Sequence, residues 1–273
     1  MHSFYVELLH GIGGAEAARH LAELREPTGR EQALLAEMAA VPARCVSALI
    51  ERMVLRIGGR TPTADELARL TAGDRERLLL AVCSRLLGAE ADLVSSCPSC
   101  KNMVEVPISF RDLLSTRPAS MNRRCFLGDG AWIAEIDPPT GADLEEALCA
   151  GPQAARRLLE RCLASLLDAE GNSVPSTALP QGCEIELAEK LLELDPLAEC
   201  RVAVECPHCA TGFETLLDGY SLLKTAFGSV QALYGDIYRM ARAYHWSEAD
   251  ILELPLSRRA HYLAIAAAAE AGP

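Results

Sequence analysis

The chain has 273 residues, half of them hydrophobic, enough to bury a substantial core, so a disordered tail is excluded. Its formal net charge of -12 sets up a field that repels phosphate backbones and anionic lipid surfaces, which argues against nucleic-acid and membrane partners. Aromatics contribute only 5% while Leu and Ala are abundant, pointing to helix-on-helix packing rather than a β-sandwich.

The opening stretch MHSFYVELLHGIGG shows no basic region followed by an apolar stretch and a cleavage site. No run reaches the roughly 18 consecutive apolar residues of a membrane span. The expectation is a soluble, cytoplasmic protein whose eleven cysteines stay reduced, as buried thiols or as metal ligands.

Taken in chain order, residues 1–90 read as helical. Thr28 with Glu31 stands in capping-box spacing at the head of TGREQALLAEMAA, where each side chain can satisfy a backbone N–H left free at a helix start. In VPARCVSALIERMVLRIGG the residues Val46, Leu49, Ile50, Met53, Val54 and Ile57 fall on one helical face, stopped by Gly58 and Gly59. Thr63 with Glu66 opens a short helix, and Thr71 with Asp74 opens DRERLLLAVCSRLLG, so four helices are expected before any strand.

Residues 91–118 change pattern. Val104, Val106, Ile108 and Phe110 alternate after a CPSC turn, the mark of a hairpin with cysteines at its tip. Residues 119–196 read as an inserted hairpin plus helices. RRCFLGDGAWIAEI turns at Asp129 and Gly130, Thr140 with Asp143 caps GADLEEALCA, and PQAARRLLERCLASLL and CEIELAEKLLEL read as further helices. Residues 197–219 carry a second CPxC hairpin, CRVAVECPHCATGFETLL, and residues 220–273 return to helix, including SEADILEL and PLSRRAHYLAIAAAAEA.

LVSSCPSCKNMVEV and VAVECPHCATGFET share a strand, a CPxC turn and a second strand, an internal repeat. Cys97, Cys100, Cys206 and Cys209 therefore supply the four thiolates of a structural tetrahedral zinc site, the two hairpins forming a split zinc ribbon. The long stretch from 101 to 205 between the knuckles departs from a compact ribbon and would make the metal pin distant segments together. The competing reading of CPHC is a thiol-disulfide oxidoreductase, whose first cysteine sits at the N-terminus of a long helix. ATGFETLLDG, with Gly212 and Phe213, reads as strand in that place, and His208, inside the knuckle, is expected to face solvent.

The cysteines at 45, 83, 125, 149, 162, 183 and 200 show no paired spacing; Cys45, Cys83 and Cys162 read as core filler. Glu186, Glu189 and Glu193 form one solvated helical stripe rather than a catalytic cluster. YHWSEADILELPLSRRAHYLA could be a DNA-reading helix pair, but Glu248, Asp250, Glu253 and Glu270 against Arg258 and Arg259 is the wrong balance for a phosphate footprint. Packing against a partner protein and plain core packing both remain open for it.

The stretches LREPTGREQALLAE, PARCVSALIERMVLRIGG, LTAGDRERLLLAVCSRLLGAEADLVSSCPSC, PPTGADLEEAL, LDPLAECRVAVECPHC and ARAYHWSEADILELPLSRRAHYL together resemble, in order, the T4-type baseplate hub assembly chaperones. These proteins are encoded with contractile phage tails and phage-tail-like injection particles. Members typically carry both CPxC knuckles, which fall on Cys97, Cys100, Cys206 and Cys209. The resemblance implies a role in building a baseplate rather than a reaction, with hub or other tail baseplate proteins as partners in a bacterial cytoplasm. One departure is that the segment after the second knuckle, usually richer in Trp, reads GFETLLDGYSLLKTAF here, which withdraws support from a partner surface built on those tryptophans. A permanent baseplate subunit of the finished particle is the alternative, ahead of the oxidoreductase and a zinc-ribbon nucleic-acid binder. The expected fold is mainly α with a small β element around the paired cysteine hairpins.

Overall fold

The computed structural model describes residues 3–13, 20–38 and 42–271. Helix makes up about 49% and strand 24%, so the β component is larger than the sequence suggests, although it is divided among small antiparallel sheets. Among the described residues no helix is long and apolar enough to cross a membrane.

The first sheet corrects the expectation that four helices precede any strand. Its strands are β1 (Ser3–Glu7), β2 (Leu21–Arg25) and β3 (Val54–Ile57), paired in that order. Helix α1 (Gly29–Glu37) starts at the expected Thr28–Glu31 capping box, and α2 (Pro42–Met53) carries the apolar stripe only as far as Met53. Val54 and Ile57, expected on that helix, instead lie in β3, where Ile57 pairs with Ala22 and both side chains enter the core. The two β-branched side chains suit a pleated surface, and pairing with β2 overrides the helical periodicity that runs through them.

Helix α3 (Ala64–Ala68) begins at the Thr63–Glu66 capping box, and α4 (Ala72–Leu87) runs from Thr71 to Gly88 as its sequence predicts. Next come β4 (Glu90–Ser96) and β5 (Met103–Ser109), with Phe110 falling not on the strand but at the start of α5 (Phe110–Ser115). A four-stranded sheet follows, made of β6 (Arg124–Leu127), β7 (Trp132–Ile136), β8 (Leu163–Leu167) and β9 (Ser173–Val174). Helix α6 (Gly141–Leu148) keeps the Thr140–Asp143 box.

The helix expected over PQAARRLLERCLASLL is shorter than predicted: α7 (Ala154–Arg161) stops before Cys162 and the chain continues as β8. Arg156, Arg157, Glu160 and Arg161 keep α7 on the surface through ion pairs, whereas Leu163 and Leu166 are buried against β7 and α8 (Cys183–Leu194). Strands β10 (Cys200–Glu205) and β11 (Gly212–Leu217) form the last hairpin, followed by α9 (Gly219–Phe227), α10 (Val230–Tyr244), α11 (Glu248–Leu252) and α12 (Leu256–Ala271).

The largest buried cluster joins the first sheet, α2, α4 and α9; a second draws on residues 125–194 around the four-stranded sheet and α8. Helix α4 runs through the first of these and is buried on nearly every side from Gly73 to Cys83. Five consecutive residues at its start each hold a different distant segment. Gly73 donates its N–H to Asp195 Oδ2 at 2.8 Å, and the carboxylate fills the space a Cβ would need. Asp74 accepts the N–H groups of Leu9, His10 and Gly11 at 2.5, 3.0 and 2.8 Å. Arg75 donates to Ser47 Oγ on α2 at 2.7 Å. Glu76 accepts the N–H of Gly219 at 2.5 Å, and Arg77 donates to the carbonyls of Leu114 and Thr116. Buried charged groups need hydrogen-bond partners, and Asp74, Glu76 and Arg77 find them in the backbone of other segments while Arg75 finds one in the Ser47 hydroxyl.

Glu76 makes this junction pH-sensitive. Burial, opposed by the Gly219 N–H and reinforced by the charge of Asp218, pushes the carboxyl up to about 8 from its ordinary 4.5. The folded protein therefore keeps a proton that the unfolded chain releases, so the contribution of Glu76 is fully present below pH 4.5 and is lost as pH rises to about 8. Glu76→Gln retains an acceptor for Gly219 and has no proton to lose. Urea midpoints between about pH 6 and 9 should fall in the wild type and hold in the variant, with a ceiling of roughly 1.4 kcal/mol per pH unit. Equal declines in both proteins would refute this assignment.

Candidate metal centre

The two cysteine hairpins repeat each other in structure. The last strand pairs before the turns are Ser96 with Met103 and Glu205 with Gly212, so each first cysteine leaves its strand at the same point. In the first turn Cys97 N–H donates to Asn102 O at 2.9 Å and Lys101 N–H to Cys97 O at 3.0 Å. In the second, Cys206 N–H donates to Thr211 O at 3.0 Å and Ala210 N–H to Cys206 O at 2.8 Å. Lys101 and Ala210, each just after the second cysteine, adopt φ of 61° and 56°. Left-handed backbone costs a non-glycine residue roughly 1–2 kcal/mol, so two such turns at equivalent places indicate that the surrounding bonds impose them.

The hairpins face each other. Val104 and Val106 from the first, with Val202, Val204 and Phe213 from the second, pack with Cys97 and Cys206 into a small apolar cluster. Ser95 Oγ and Thr215 Oγ1 share a hydrogen bond of 2.9 Å across the seam. Cys97 and Cys206 are buried, Cys100 is partly buried and Cys209 is exposed.

All four predicted ligand residues come together, their sulfurs within 4.8 Å of one another. Two close separations cross between hairpins: Cys97 to Cys209 at 3.7 Å and Cys100 to Cys206 at 3.6 Å. A tetrahedral ion bound by four thiolates at about 2.3 Å requires sulfurs about 3.8 Å apart, whereas a disulfide requires about 2 Å. The cysteines are free thiols spaced for a metal rather than for a bond to each other.

The four thiols perturb one another's ionisation. The Thr211 side chain and backbone N–H hold the Cys209 thiol down to about 6, and the backbone N–H of Cys100 lowers Cys97. Cys100 is pulled down by the Asn102 N–H, but burial and the three neighbouring sulfurs push it up to about 11. Four thiolates this close cannot all ionise without a cation among them.

The residues set aside in the sequence fall where expected. His208 is exposed at the knuckle tip, and a strand, not a helix, follows Cys209 at Gly212. Cys45, Cys83, Cys125, Cys162, Cys183 and Cys200 are buried and Cys149 is exposed. Burial pushes Cys83 and Cys162 up to about 12 and Cys200 to about 11, which makes them packing groups and not nucleophiles at neutral pH.

Sequence reasoning missed how the hairpins are anchored. Glu76 and Arg77, adjacent on α4, hold the chain just beyond each hairpin, Arg77 at Leu114 and Thr116 and Glu76 at Gly219. The signal was present in DRERLLLAVC, where charge runs straight into apolar residues with no exposed face left for it. Fold and site together define a protein about 49% helical, with 24% strand in small antiparallel sheets and a four-cysteine site able to hold a metal ion. Comparison with known protein families, with curated proteins and with solved structures returns no match to this chain.

Proposed function

We propose that the protein is a non-enzymatic assembly factor for a contractile baseplate, of a phage tail or a phage-tail-like injection particle, whose fold is stapled by one structural zinc ion. The observation that carries the zinc reading is the pairing of sulfurs across hairpins separated by residues 101–205. Four thiolates with no open position match structural zinc, and no side chain other than the four cysteines completes the group among the described residues. The assembly role is supported by the ordered sequence resemblance to baseplate hub assembly chaperones described above.

The exposed, acidic thiol of Cys209 is the one feature that favours thiol-disulfide chemistry. A zinc thiolate needs the same property, and Cys209 has a close sulfur in the other hairpin, Cys97 at 3.7 Å, as a shared four-sulfur site requires.

Deleting the gene in cells that encode it should leave sheath and tube proteins present but no contractile particles by electron microscopy, with recovery on complementation. Normal particles in the deletion strain would overturn the assembly role. Finding the chain in washed mature particles at fixed stoichiometry would select the alternative, a permanent baseplate subunit.

A further inference from the structure

Two adjoining cavities lie astride the first turn of α12 and share Glu26 and Ser257 in their linings. The first, about 350 Å³, is lined in part by Arg85 and Arg259. The second, about 540 Å³, is lined by Arg258, His261, Tyr262 and Ile265.

The charges of this groove are unbalanced in a chain that is otherwise strongly acidic. Its two carboxylates are already engaged: Glu26 accepts the Ser257 N–H at 2.8 Å, capping α12, and Asp236 accepts from Arg239 at 2.6 Å. Two of its three arginines have no such partner. Among the described residues no carboxylate pairs with Arg258 or Arg85, which lie over the rings of Tyr262 and Phe4 at 5.7 and 5.6 Å. Arg259, only 5% exposed, is held by Asp236 Oδ2 at 3.8 Å and by Gln32 Oε1, which leaves its Nη1 without a hydrogen-bond partner.

The apolar wall is built from packed rings. Tyr262 packs against Trp246 at 4.9 Å and Tyr244 at 5.5 Å, and Tyr244 donates its hydroxyl proton to Tyr262 O at 2.8 Å. Ile265 beside it is 54% exposed. Arginine set among aromatic anchors is the composition of a protein-binding centre.

We propose that this groove binds an acidic, apolar peptide segment of a partner protein, with carboxylates against Arg258 and Arg85 and an apolar side chain against Tyr262 and Ile265. This deepens the assembly role and rests on it for taking a protein segment as the occupant. The binding test uses the isolated full-length chain, so its failure is distinct from failure of the gene-deletion test.

The probe is a fluorescein-labelled peptide alternating Glu with Leu and Phe, titrated by anisotropy beside a second peptide with Lys in place of Glu. Saturable binding of the Glu peptide that weakens with salt is expected, with roughly tenfold or greater loss in Arg258→Glu and in Ile265→Asp. The Lys peptide should bind the wild type at least roughly tenfold more weakly and gain affinity for Arg258→Glu. Both substituted positions are exposed, and unchanged melting temperatures verify the fold. No saturable binding, equal affinity for both peptides, or equal affinity in the variants would overturn the proposal. So would sedimentation showing that a second copy of the chain fills the groove and is released by Arg258→Glu.

Discussion

Cys206→Ser should lose bound metal and cooperative folding together. Cys206 is 1% exposed, sits in the apolar seam between the hairpins and lies 3.6 Å from Cys100 Sγ. A structural zinc ion contributes roughly 10–16 kcal/mol of apparent binding energy, comparable to or larger than a typical net domain stability of roughly 5–15 kcal/mol. A serine hydroxyl is a poor replacement for a thiolate, and it would sit in a pocket shaped for sulfur with no other partner. Thermal melting and metal content should both collapse in the variant, most sharply for the segments flanking the two hairpins. Cys149→Ser, at an exposed position, serves as the control and should change stability by no more than about 0.5 kcal/mol. A Cys206→Ser protein that melts like the wild type would exclude a structural role for the site and return attention to thiol chemistry.

Asp74→Ala should destabilise the protein by about 3–5 kcal/mol without disturbing the metal site. The carboxylate is 0% exposed and accepts three consecutive backbone N–H groups, those of Leu9, His10 and Gly11, while its own N–H donates to the Thr71 hydroxyl that caps α4. Each donor left unpaired in a buried place costs about 1–3 kcal/mol, and water can reach only some of them. Asp74→Asn keeps one acceptor oxygen and should lose about half as much. Urea unfolding with an unchanged slope gives the difference, and amide exchange should accelerate first at residues 9–11. A loss below about 1 kcal/mol would mean that the segment 8–13 is held by other contacts.

Much of this arrangement was legible in the sequence because it depends on short-range chemistry. Capping boxes at Thr28, Thr63 and Thr140 need only a hydroxyl and a carboxylate three residues apart, and each begins a helix where predicted. Both hairpins and the four cysteines were visible as a repeated pattern, and the structure adds that each sulfur has a close neighbour in the other copy.

What was not legible depends on distant partners. Val54 and Ile57 fit a helical stripe and a strand equally well; β2 decides between them. Leu163 to Leu167 extends the apolar pattern of α7, and only pairing with β7 turns it into β8. The run from Asp74 to Arg77 into apolar sequence hints that these charges are buried, but nothing local announces which partners, residues 9–11, 47, 114, 116 and 219, will converge on them.

The central claim, that both cysteine hairpins close on a single metal ion, is tested most directly by elemental analysis of the purified full-length chain. Four thiolates per ion predict about one zinc per chain. Two zinc ions per chain, or a folded protein free of metal, would contradict it.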